Sequence, residues 1–114
     1  MSDTDLTAAT LHDQILLAGR DYVDALEEEL RADEAVAQLR AHLCVDLRRE
    51  LERQRPLSRV TDQEIELHIR CHPKLREAKE RALVATVERV RAESEREAIR
   101  TQRDLLLTKS KCGD

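Results

Sequence analysis

Apolar residues recur every three or four positions along most of this chain, which is the spacing of an amphipathic helix. In the first half this pattern continues to Leu51 without a proline. We therefore predict one long helix, or two nearly collinear helices, over about residues 5–53. Gly19 lies inside the pattern and marks either a kink or a point of close helix approach. The periodic positions are Leu6, Leu11, Ile15, Ala18, Tyr22, Leu26, Ala32, Val36, Leu39, Leu43, Leu47 and Leu51.

A connection and a helix start follow this first segment. Pro56 stops the helix, because proline lacks the backbone N–H that a helix interior needs, and residues 54–60 form the connection. The sequence TDQE that begins at Thr61 is a capping box. In it the Thr61 hydroxyl accepts the Glu64 N–H, and the Glu64 carboxylate reaches back to the Thr61 N–H. A short helix is therefore predicted over residues 61–72.

A proline also separates the short helix from the last one. Pro73 disfavours helical backbone at His72, so the short helix ends there. The same proline is a favourable first residue for a new helix. No further glycine or proline occurs before Gly113, so we predict a long final helix over about residues 73–109.

The final helix has two apolar faces when its residues are placed about 100° apart. One face has steps of three or four residues, which is the spacing of a helix–helix seam, and we call it the seam. The seam consists of Leu83, Val87, Val90, Ser94, Ala98, Thr101 and Leu105. The opposite face carries Leu75, Ala78, Ala82 and Ala85, and we expect Ile65 and Ile69 to cover it.

These elements predict an all-α fold in which residues 1–114 form a single helical domain. Two long helices joined by a short segment pack as an antiparallel hairpin, with a short intervening helix and coiled-coil-like packing. The chain has one aromatic residue, Tyr22, and 39% charged residues, so its own core is small. We therefore predict a homo-oligomer. Its seam contacts are expected from Leu83, Val87, Val90, Ala98 and Leu105.

Charge is divided unevenly along the chain, although the formal net charge is only −4. Residues 1–45 carry −7 and residues 46–114 carry +3. Guanidinium groups in the second part could bind phosphates in a salt-dependent way, or they could simply be solvated helix faces. Aromatic rings on which bases could stack are missing. One basic cluster comprises Arg48, Arg49, Arg53, Arg55 and Arg59, and the other Arg89, Arg96, Arg100 and Arg103.

No residue pattern predicts catalysis, a cofactor or a small-molecule substrate. His68, Cys71 and His72 are metal-ligand types, but a closed zinc site needs four ligands and no matching second pair is present. We expect His68 to pack at a helix edge and His72 to serve the turn. The carboxylates of residues 27–29 belong to a solvated surface, and no pocket is predicted around them. We therefore do not expect an enzyme.

The chain has no apolar signal region behind Met1 and no run of about 18 apolar residues. Its three cysteines are odd in number and widely spaced, which favours reduced thiols. These features predict a cytoplasmic protein without a membrane span.

Residues 60–107 resemble phage recombination mediators of the UvsY type and related small helical proteins of phages and prophages. The resemblance lies in VTDQEIELHIRCHP at residues 60–73 and in AIRTQRDLLL at residues 98–107, on either side of a long charged helix. It implies a ring-forming helical oligomer that binds single-stranded DNA, the recombinase and the single-strand-binding protein without catalysis. The DNA contacts would come from Arg48, Arg49 and Arg53, with Arg96, Arg100 and Arg103 as second choice.

Two other hypotheses remain open. The chain could be a helical protein–protein adaptor or regulator that docks its acidic N-terminal helix onto a host protein without binding DNA. It could also be an assembly or scaffolding coiled coil. Arginine substitutions in the first basic cluster would impair only the DNA-binding protein, whereas changes around residues 27–29 would impair the adaptor.

Overall fold

The described part of the chain forms three helices. The computed structural model describes the backbone of residues 3–112 and the side chains of residues 9–109, within which no strand occurs. The helices are α1 (Asp3–Gln54), α2 (Asp62–Arg70) and α3 (Pro73–Cys112). The predicted all-α helical hairpin fold is confirmed. The side chains of Leu6 and Cys112 lie outside the described residues.

The first helix is continuous through Gly19. Beyond the adjoining residues and backbone of its own helix, a Cβ atom at this position would meet no atom within 4 Å. The interpretation of Gly19 as a point of close helix approach is therefore wrong, and the glycine occupies an ordinary helical position with open space beside it.

The fold divides into two compact units. The corner unit comprises residues 29–85 and contains all of α2, and the terminal unit comprises residues 1–28 and 86–114. Each unit contains a stretch of α1 and a stretch of α3. The corner unit therefore has three helical segments around its core, whereas the terminal unit has two.

The corner unit contains most of the buried aliphatic side chains. Ile69 and Leu75 are its largest fully buried side chains. Ile65 and Ile69 lie in one cluster with Leu75, which confirms the predicted cover over this face of α3. The cluster is completed by Leu43, Leu51 and Val60, with Val36, Leu39, Cys44 and Leu47 packed against it.

Half of the predicted capping box is formed at the start of α2. The Glu64 N–H donates to Thr61 Oγ1 at 3.3 Å, as expected for an N-cap threonine. The Glu64 carboxylate accepts instead from the Arg55 guanidinium at 2.6 Å, so the predicted return bond to the Thr61 N–H is wrong. An ion pair with the connection has replaced a local bond.

A histidine cap separates α2 from α3. The short helix ends at Arg70, earlier than predicted, with Cys71 as its C-cap. The Lys74 N–H donates to His72 Nδ1 at 3.2 Å, so His72 satisfies one of the free N–H groups at the start of α3. This agrees with the expected role of His72 in the turn.

The terminal unit packs small and amphipathic side chains. Ala18 is its one buried hydrophobic residue among the described side chains. The Arg96 guanidinium lies over the Tyr22 ring, 5.2 Å from the ring centroid. Such cation–π contacts contribute about 0.5–1 kcal/mol at exposed sites. Half-buried positions include Leu11, Ile15, Tyr22, Ala25 and Leu26 of α1 with Ala92, Arg96, Ile99 and Leu106 of α3.

Candidate assembly and nucleic-acid surfaces

Acidic side chains of α2 pair with arginines of the first basic cluster. Arg48 forms an ion pair with Asp62, and Arg55 pairs with Glu64. Arg53 pairs with Glu50 one helical turn away. A fourth pair joins Arg40 to Glu66. Three of these pairs join α1 and its connection to α2, so part of the predicted phosphate-binding cluster has a structural role.

Two other arginines of the first basic cluster have no carboxylate partner among the described side chains. Arg49 and Arg59 are exposed, and neither takes part in an ion pair within the described part of the chain. Arg49 follows Arg48 directly but projects from another side of α1, because successive helical residues are about 100° apart. At this end of α1, the unpaired candidate for a phosphate contact is therefore Arg49.

The second basic cluster is partly used within the fold. Arg89 is half-buried and pairs with Glu93 at 2.9 Å. Arg96 packs on Tyr22, and Arg100 is half-buried. Arg103 is exposed and lies 3.4 Å from the carboxylate of the adjacent Asp104, a long and therefore weak contact. Arg103 is accordingly the member of this cluster best placed to meet a phosphate.

The predicted seam lies on the outside of α3. Leu83 is 64% exposed and Val87 50% exposed. The small residues of the seam are exposed as well, and the Thr101 hydroxyl donates to the Glu97 carbonyl of its own helix at 2.9 Å. Because that hydroxyl is already satisfied, it can enter an apolar contact at little cost. The seam remains available to a second molecule.

A second exposed apolar stripe lies on α1. Leu16 and Val23 are exposed in the terminal unit, seven residues apart. Leu30 is likewise exposed, in the corner unit. Seven residues are nearly two helical turns, so such side chains recur on one face. This stripe is not among the surfaces predicted from the sequence, although its seven-residue spacing is visible there.

A cationic groove lies where α2 meets α3 in the corner unit. It is an open depression of about 310 Å³ lined by Leu75 and Leu83, with one carboxylate from Glu80. The cations around it are Arg70, Arg76 and Lys79. None of the three takes part in an ion pair among the described side chains. We call this feature the corner groove.

The corner groove is not among the sites predicted from the sequence, although part of its pattern is local. Arg76, Lys79 and Leu83 are three and four residues apart and share one face of α3. Arg70 joins them only because the chain turns at Pro73, which periodicity cannot reveal.

Comparison with protein-family models, curated proteins and solved structures finds no significant match to this chain. The resemblance to recombination mediators therefore stays a prediction, and function must be inferred from the surfaces themselves.

Those surfaces are suited to macromolecular contacts. Within the described residues, no group of three or more His, Cys, Asp or Glu side chains could hold a metal ion. His68 and Cys71 are exposed, and the Cys44 and Cys71 thiols are free. None of the helices has, in its described part, the apolar length needed to cross a bilayer. The prominent features are exposed apolar stripes and unpaired cations.

Proposed function

We propose that this chain is a non-catalytic recombination accessory protein of the phage type, which assembles through the seam and binds single-stranded DNA. The observation that carries the assembly step is the distribution of aliphatic side chains in the terminal unit. Leu16, Val23, Val87, Val90 and Leu105 are exposed there, whereas Ala18 is the buried hydrophobic residue. A second copy would remove these exposed side chains from water, at about 25 cal/mol per Å² of apolar surface.

The DNA-binding step is supported by exposed arginines and by the resemblance over residues 60–107. Arg49 has no ion-pair partner among the described side chains, and the described contact of Arg103 with its neighbour Asp104 is long, so phosphates can replace water around both groups. Arg48 and Arg53 are weaker candidates, because their carboxylate partners would have to be displaced. Each copy contributes few phosphate contacts, and assembly multiplies them through effective concentration.

The assembly step is tested with two valine substitutions on α3. Val87→Asp places a carboxylate in the seam, where burial without a partner is costly, and is expected to reduce the particle to single chains. Val84→Asp is the matched control, because Val84 is exposed on the same helix but outside the seam. Light scattering coupled to size exclusion gives the mass of each. An unchanged mass for Val87→Asp would refute assembly through the seam.

The DNA step is tested by fluorescence anisotropy of a labelled single-stranded oligonucleotide at several salt concentrations. Binding is expected to weaken steeply with salt, and each lost phosphate contact should lower the slope of log K against log salt by about 0.7. Arg49→Gln and Arg103→Gln are the test variants. Arg91→Gln is the control, because Arg91 is an exposed α3 cation on the side away from Arg103. Absence of binding at low salt by the assembled protein would refute DNA binding.

A protein–protein adaptor is the second candidate. It is favoured by the ion pairs that occupy Arg48, Arg53 and Arg55, which leave fewer free cations than the sequence suggests. The adaptor would dock the acidic part of α1 onto another protein. Reversing charges at residues 27–29 should then abolish partner capture, whereas Arg49→Gln should have no effect.

A further inference from the structure

We infer that the corner groove of one copy receives the outer face of α1 from a second copy, through the segment that contains Leu16 and Val23. This inference rests on the proposed self-assembly and adds a second contact to the one through the seam. The contact joins different surfaces, so it is heterologous in kind. A contact of the seam with the same seam on another copy would be symmetric instead.

Charge complementarity identifies the occupant. The groove presents Arg70, Arg76 and Lys79 against a single carboxylate from Glu80. On α1, Asp13 and Asp24 lie within about 100° of Leu16 and Val23 around the helix. Both carboxylates are exposed, and neither takes part in an ion pair within the described part of the chain. One cation, Arg20, shares this face, which remains net acidic.

Apolar complementarity favours a helix over a nucleic acid strand in this groove. Leu75 and Leu83 line it, and Leu67 is exposed beside Arg70 in the adjoining depression. Contact with a charged phosphate backbone gives a leucine side chain little apolar burial. No aromatic ring is present among the lining residues to stack on a base. An amphipathic helix supplies aliphatic side chains at its centre and carboxylates at its edges, as the outer face of α1 does.

Charge reversal with mixing provides the test. The groove variant carries Arg76→Glu and Lys79→Glu, and the α1 variant carries Asp13→Lys and Asp24→Lys. Alone, each variant brings like charges together at the contact and should associate at least tenfold more weakly than the unmodified chain. An equimolar mixture pairs an acidic groove with a basic α1 face and a basic groove with an acidic one. The mixture should therefore recover the particle size of the unmodified chain.

The measurement is sedimentation velocity at low salt, where surface charges are least screened. Circular dichroism confirms that each variant is helical. A control variant carries Lys74→Glu and Arg81→Glu, which change the net charge by the same amount at exposed α3 positions outside the groove lining and away from the seam. It should assemble like the unmodified chain.

Several results would overturn the inference. The groove variant could keep its normal particle size, or the mixture could remain dissociated. If the groove variant lost oligonucleotide binding but assembled normally, the corner groove would be a nucleic-acid site. If Val87→Asp dissociated the particle and the mixture did not recover the normal particle size, assembly through the seam would be supported and the heterologous contact refuted. If the unmodified chain were monomeric at every concentration, both the seam contact and the heterologous contact would be refuted.

Discussion

The buried side chains of α2 are expected to determine the stability of the corner unit. A nine-residue helix is too short to be stable in water by itself, so α2 depends on packing through Ile65 and Ile69. Ile69 is 2% exposed and lies in the cluster with Leu75. Substitution of Ile69 by alanine should therefore lower the free energy of unfolding far more than an equivalent change on the outer face of α2.

The magnitude follows from the atoms removed. Ile69→Ala deletes three carbons, and each buried methylene contributes about 0.8 kcal/mol. The transfer term is then about 2.4 kcal/mol, and the cavity left behind raises the loss to roughly 3–4 kcal/mol. A loss of this size shifts the folding equilibrium more than 100-fold, since about 1.4 kcal/mol corresponds to a factor of ten.

The matched control lies two residues away on the same helix. Leu67 is 61% exposed, so Leu67→Ala removes three carbons from solvent-facing surface and should change stability by no more than about 0.5 kcal/mol. Urea unfolding followed by far-ultraviolet circular dichroism gives both values, at concentrations where each variant has the particle size of the unmodified chain. Equal losses for the two variants would refute the assignment of Ile69 to the core.

Three further outcomes are expected. Thr61→Ala removes the acceptor for the Glu64 N–H and should cost about 1 kcal/mol in urea unfolding, whereas Thr61→Ser should retain the cap. Gly19→Ala should stabilise the chain by roughly 0.5–1 kcal/mol, because the new methyl group meets nothing within 4 Å beyond the adjoining residues and backbone of its own helix; a loss would imply an unseen contact. In hydrogen exchange, amides of the terminal unit should exchange faster than those around Ile69 in the corner unit, and uniform protection would contradict the weak packing.

The sequence alone was sufficient to predict the helices and much of their packing. The three-to-four-residue repeat from Leu11 to Leu51 matches positions that are buried or half-buried in α1. The Thr61 cap and the break at Pro73 were predictable because capping and proline sterics involve only neighbouring residues. The packing of Ile65 and Ile69 against Leu75 was also predictable, since these three are the main apolar residues near the turn at Pro73.

Only the tertiary structure decided which contacts each surface makes within the chain. Both faces of α3 are apolar in sequence, but Leu75 is buried within the chain whereas Leu83 is exposed. Arg48 belongs to a basic cluster in sequence, yet its guanidinium pairs with Asp62 of the next helix. Arg70 reaches the corner groove only through the turn at Pro73. These outcomes depend on contacts between residues distant in sequence or separated by a turn, and helical periodicity carries no information about them.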